Sequence, residues 1–97
     1  MKHNFKELKI WQRAKVLCID VYKLTKEFLG DERFGLTNQL RRCAVSVPSN
    51  IAEGCGRNTD KQLIHFLNIA MGSLTELETQ VIISHELGYI NSEIGKK

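Results

Sequence analysis

Arg42, Ser46, Ser49 and Glu53 follow one another at steps of four, three and four, the spacing that lines side chains along one face of an α-helix. Serine oxygens beside an acid and an arginine could support nucleophilic chemistry, provided a base stands next to one hydroxyl. The surrounding segment, Arg41 to Arg57, contains no histidine and no G-x-S-x-G elbow, and Arg42 and Glu53 are about three helical turns apart. A catalytic site is therefore not expected. The other reactive residues are scattered too. His65 and His85 fall on different faces of one predicted helix, His3 is remote from both, and Glu76 and Glu78 are two apart and share no helical face. Neither a metal site nor an acid/base pair follows from such spacing. No cofactor motif is present.

Cys18, Cys43 and Cys55 make an odd set without a C-x-x-C, which suits free thiols in a reducing cytoplasm better than a disulfide framework. Cys18 and Cys43 lie on apolar faces as small core residues, whereas Cys55, between two glycines, is expected to be exposed.

Basic residues are the remaining chemistry. Lys2, Lys6, Lys9 and Arg13 recur at helical spacing near the N-terminus, and Arg41, Arg42, Arg57 and Lys61 are expected to gather along a second helix and its exit. Such groups bind phosphates through charge, so structured RNA is a candidate partner, although a plain solvated basic face would look the same. Met1 to Arg42 holds ten Lys/Arg against five Asp/Glu, while Gln62 to Gly95 holds no Lys/Arg and four acids. This asymmetry suits either an acidic partner or antiparallel docking of the helices.

Three helices must position these groups. Leu8, Trp11, Ala14, Cys18, Val21, Tyr22, Thr25 and Leu29 share the core face of a first helix over residues 5–29, with Ile10, Leu17, Leu24 and Phe28 a quarter-turn away as a second apolar stripe. Gly30 and Gly35 bracket a charged connection. Leu36, Leu40, Cys43, Ala44, Val47 and Ile51 define a second helix over 36–54, for which Gly54 and Gly56 are candidate left-handed caps. Pro48 lies inside it, at a cost usually on the order of 3 kcal/mol. A kink beside the small Ala44 is expected, with the Ser46 and Ser49 hydroxyls bonding the freed carbonyls. Thr59 and Gln62 form a capping box for a third helix over 60–87, with Gly88 its C-cap and Ile64, Met71 and Ile82 its offset apolar stripe. A fourth helix is expected to start near residue 92 and to be cut short at Lys97.

The 97 residues therefore read as one all-α domain, an antiparallel up-down bundle of the four-helix type with a truncated fourth helix. A groove should remain beside helices one and three. The second stripes there, Ile10, Leu17, Leu24, Ile64, Met71 and Ile82, point to self-association. No apolar run approaches the roughly 18 residues of a membrane span, and the charged N-terminus lacks a signal-peptide core.

Three segments, "FKELKIWQRAKVLCIDVYKLTKEF", "DERFGLTNQLRRCAVSVPSNIAEGCGR" and "FLNIAMGSLTELETQVIISHELGYI", resemble in order the bacterial four-helix-bundle proteins encoded by 23S ribosomal RNA intervening sequences. The run Ser46 to Arg57, with Ser46, Pro48, Ser49, Asn50, Glu53, Gly54 and Gly56, is its most specific part. That family is similar in turn to the accessory variability proteins of diversity-generating retroelements. The resemblance implies a non-enzymatic homo-oligomer, a pentamer in that related group, that binds nucleic acid or a nucleic-acid-processing protein. Ser46, Ser49 and Glu53 are then expected to face a neighbouring subunit. A purely structural protein-interaction module is the alternative.

Overall fold

The computed structural model describes residues 4–28 and 35–90. Among them are three α-helices, α1 (Lys9–Thr25), α2 (Leu36–Cys55) and α3 (Asp60–Glu86), preceded by a short 3-10 turn, Phe5–Glu7. No strand occurs among the described residues. The expected start of a fourth helix near residue 92 lies outside them, as do Lys2, Leu29 and the tip of the first connection.

The first helix begins later than its periodicity predicts. Asn4 accepts the Lys6 N–H through its side chain at 3.2 Å, and Leu8 then adopts an extended conformation, so α1 starts at Lys9. An asparagine oxygen outcompetes the helical pattern here by capturing a local amide. The bend lays the Phe5 ring edge-on against Trp11, with centroids 5.1 Å apart. At the other end α1 stops at Thr25, where Glu27 and Phe28 donate to the carbonyls of Leu24 and Thr25 and tighten the last turn.

α2 is the central element. It runs through Pro48 without interruption and ends on Gly56, which keeps a right-handed conformation (φ −85°) rather than the expected left-handed cap. Gly54 is no cap either, being buried within the helix. A Cβ on it would lie 3.0 Å from the Phe66 Cβ and 3.1 Å from Leu63 Cδ1, so its role is to let α3 approach α2 closely. α3 follows its sequence signals at both ends. The Thr59 hydroxyl oxygen accepts the Gln62 N–H at 3.2 Å. Gly88 takes φ +82° while it and Tyr89 donate to the carbonyls of His85 and Ser84, a Schellman closure.

Two apolar clusters give the topology. Ala14, Val47, Ile51, Cys55 and Ala70 meet at one end, and Val21, Leu40, Cys43, Ala44 and Leu77 at the other. As α1 rises from residue 14 to 21, α2 descends from 51 to 40 and α3 rises from 70 to 77. The helices therefore run up, down and up. α2 packs along both neighbours, while α1 and α3 make few contacts with each other. Cys55, expected to be exposed, is 1% exposed, because the close approach at Gly54 folds α3 over it. Burial raises its thiol pKa, and that of Cys18. Cys43 is raised by burial first and then by a hydrogen bond and the charge of Glu76.

Candidate interaction surfaces

Because α1 and α3 lean on α2 but hardly on each other, the space between them stays open. It forms a groove of about 390 Å³ with Val47 and Ile51 of α2 on its floor. Ile10, Ala14 and Leu17 make one bank, Leu67, Ala70, Met71 and Leu74 the other, and Arg13 stands at the rim. Three of the six apolar residues that point to self-association, Ile10, Leu17 and Met71, thus come together from two helices. Leu24 is half-buried farther along α1. Ile64 and Ile82 stand outside the lining on α3, 56% and 53% exposed, beside Met71 at 61%. Burying one such side chain fully yields roughly 1.5 to 3 kcal/mol.

The polar stripe of α2 does not act as one surface. Ser46 turns inward to α3, its hydroxyl 2.8 Å from that of Ser73. Asn50 donates its amide to both the Ser46 carbonyl and hydroxyl, at 2.8 and 2.9 Å. The hydroxyl expected to bond a carbonyl freed by Pro48 or to face a neighbouring subunit is thus spent within the chain. The reason is its place at the edge of the buried face, where an unpaired hydroxyl would be costly. Its partners are a hydroxyl and an amide, neither of them a base. Ser49 is exposed, and Glu53 pairs with Arg57 at 3.0 Å one turn on.

The basic residues divide between the two ends. Arg41 and Arg42 stand level with the C-terminal end of α1, about 20 Å along α2 from Arg57 at the helical rise, so the expected cluster of Arg41, Arg42, Arg57 and Lys61 is not formed. Arg41 is half-buried. Its Nε donates to Thr25 Oγ1 at 2.8 Å and its Nη2 to the Tyr22 carbonyl at 3.4 Å, with the guanidinium 4.7 Å above the Tyr22 ring. That arginine ties α2 to α1. Phe5, Leu8 and Leu63 all pack on the cluster containing Cys55, so Lys6, Lys9 and Arg13 lie at the same end as Arg57 and Lys61.

At that end Arg57, Lys61, Gln62, His65 and Phe66 border a shallow cleft. The Arg57 guanidinium sits 4.7 Å over the Phe66 ring, and His65 meets the same ring edge-on at 5.2 Å. Phe66 itself is half-buried. The Glu53–Arg57 spacing of four could have pointed to their ion pair. Among the described residues no three His, Cys, Asp or Glu side chains form a group able to hold a metal ion, and no helix is long and apolar enough to cross a membrane.

No match was found among curated proteins. The comparison with protein families matches residues 6–97 to the family described as the 23S rRNA-intervening sequence protein, a span that includes all three helices, the α1/α3 groove and the Ser46–Arg57 segment. The chain belongs to the 23S rRNA-intervening sequence protein family.

Proposed function

We propose that this chain is a non-enzymatic, self-associating helical-bundle protein, three helices of a four-helix arrangement whose open groove is closed by another copy. The observation that carries this reading is the groove itself, which exposes Ile10, Leu17 and Met71 from two helices over a floor of Val47 and Ile51. An open apolar trough between two helices of a bundle is where a further helix packs, and exposed apolar surface of this kind marks an interaction site. A reducing cytoplasm suits its three free thiols.

Sedimentation of the full chain over a range of concentrations tests the reading. The expected result is concentration-dependent association that Met71→Glu abolishes while helical content is kept. A monomer throughout would overturn it.

A second reading, docking on structured RNA, is favoured by the gathering of Lys6, Lys9, Arg13, Arg57 and Lys61 at one end. Titration with a folded RNA at two salt concentrations tests it, since phosphate-driven affinity falls as salt rises. Binding that does not respond to salt would count against this reading.

A further inference from the structure

We infer that the cleft around Arg57 and Phe66 takes an unpaired base of a single nucleic-acid strand, stacked on the outer face of the Arg57 guanidinium. Lys61 and the basic start of the chain hold the flanking phosphates. This rests on the second reading, that the chain docks on RNA, and it adds which site is used, which part of the strand enters and what holds it.

The first observation is how Arg57 is spent. Its Nη2 donates to Glu53 Oε2 at 3.0 Å, and its Nε is buried without a hydrogen-bond partner. The guanidinium lies over the Phe66 ring at 4.7 Å, so the ring closes one of its faces. Its side chain is nevertheless 41% exposed. With one face on the ring and two of its nitrogens turned to the protein, it presents outward a plane rather than the forked edge that grips a phosphate. Such a plane is a stacking surface for an unpaired base. A base placed there completes a stack of base, guanidinium and ring.

Charge supports a base over a bare phosphate. Arg57 and Lys61 are matched by Glu53 and Asp60 in the neighbouring sequence, so an isolated anion finds little net attraction, whereas a neutral base needs none. Positive charge is in excess elsewhere at the same end, where Lys6, Lys9 and Arg13 outnumber Glu7. These three and Lys61 are exposed. A strand reaches both the cleft and these cations, while a free nucleotide engages the cleft alone, which makes the strand the tighter ligand. The cleft volume of about 350 Å³ suits a small planar group. A duplex keeps its base faces covered and cannot use this surface.

The test titrates the full chain into a labelled short oligoadenylate. The complex is then displaced with unlabelled oligoadenylate, the same strand paired to oligouridylate, an abasic strand of equal length, or adenosine monophosphate. Oligoadenylate should compete about tenfold more strongly than the abasic strand or the duplex, the contribution of one stacked base. Arg57→Lys keeps the charge and loses the plane, so it should bring oligoadenylate down to the abasic affinity and leave the abasic strand unchanged. Lys61→Ala should weaken both strands alike and lower the salt dependence. Circular dichroism checks that both variants keep the helices, and the comparison of strands on the parent chain needs no variant. Equal competition by oligoadenylate, abasic strand and duplex would overturn the stacked base and leave charge-driven RNA docking standing. Adenosine monophosphate competing as strongly as the oligomer would overturn the strand as ligand. No salt-sensitive binding of these strands or of a folded RNA would overturn both this inference and the RNA reading.

Discussion

The hydroxyl of Ser46 on α2 lies 2.8 Å from the hydroxyl of Ser73 on α3, twenty-seven residues later. This bond joins the two helices at mid-length, and the Asn50 amide completes it by donating to Ser46 at 2.9 Å. Two serines and an asparagine thus form a small polar seam in the α2/α3 contact, which the Gln80 side-chain amide also crosses by donating to Gln39 Oε1 at 3.4 Å.

Ser46→Ala should cost about 1 to 2 kcal/mol of stability, because it removes one partner and leaves Ser73 and Asn50 under-bonded in a part-buried seam. Ser46→Ala with Ser73→Ala should cost less than the sum of the single changes. Urea unfolding of the four proteins of this double-mutant cycle measures the coupling. Strict additivity would show that the seam is not energetically joined.

Gly54→Ala should destabilise despite the better helix propensity of alanine, a gain of up to about 1 kcal/mol. The new Cβ would meet the Phe66 Cβ at 3.0 Å and the Leu63 carbonyl oxygen at 3.2 Å. Parting the helices to relieve it costs about 1 to 3 kcal/mol. A lower thermal midpoint is expected, and an unchanged or higher one would show that α3 yields easily.

Arg41 should prove to be a stability residue. Thr25→Val removes the acceptor of its 2.8 Å bond and should cost about 1 kcal/mol. Arg41→Lys should recover little, because an ammonium cannot reproduce the planar fork that reaches both Thr25 and Tyr22. Chemical denaturation checks the stability change. RNA titration of Arg41→Lys beside Lys61→Ala checks the contrast, with only the second expected to reduce salt-sensitive binding.

The buried thiols give a pH dependence of definite sign. Burial holds the pKa of Cys55 above the ordinary value of 9.0, and burial with Glu76 does the same for Cys43. As pH rises, the unfolded chain loses these protons first, so the folded state binds more protons and stability falls with pH. The thiol contribution is fully present below 9.0 and is lost as pH climbs through the raised folded values. The decline in urea midpoint should be shallower in Cys55→Ala than in the parent. In the native protein a thiol reagent should modify half-buried Cys18 before Cys55.

The three helices were legible in the sequence because their signals are local. Apolar residues recurring near every 3.6 positions, as in Leu36, Leu40, Cys43, Val47 and Ile51, specify one buried face. Thr59 and Gly88 mark the ends of α3 through a side-chain cap and a positive φ, both decided within a few residues. The offset stripe was legible for the same reason, and Ile10, Leu17 and Met71 do meet in one groove. Even the misplaced start of α1 has a local cause, the Asn4 bond to Lys6, which a count of apolar positions does not register.

What required the tertiary structure was every property set by the distance between helices. Gly54 and Cys55 looked like a helix exit, yet the approach of Phe66 and Leu63 makes them buried packing positions. Ser46 looked outward until Ser73 arrived opposite it. Arg41 and Arg57, both basic residues of one segment, belong to opposite ends of the molecule, one fastened to Thr25 and Tyr22 and the other to Glu53 over Phe66. Periodicity alone determined which face of each helix is apolar, since that depends on bond geometry along one chain. Which polar groups are satisfied inside the bundle and which remain free to meet a partner was decided only when α1 and α3 took their places on α2, because desolvation and hydrogen bonding depend on what stands across the gap.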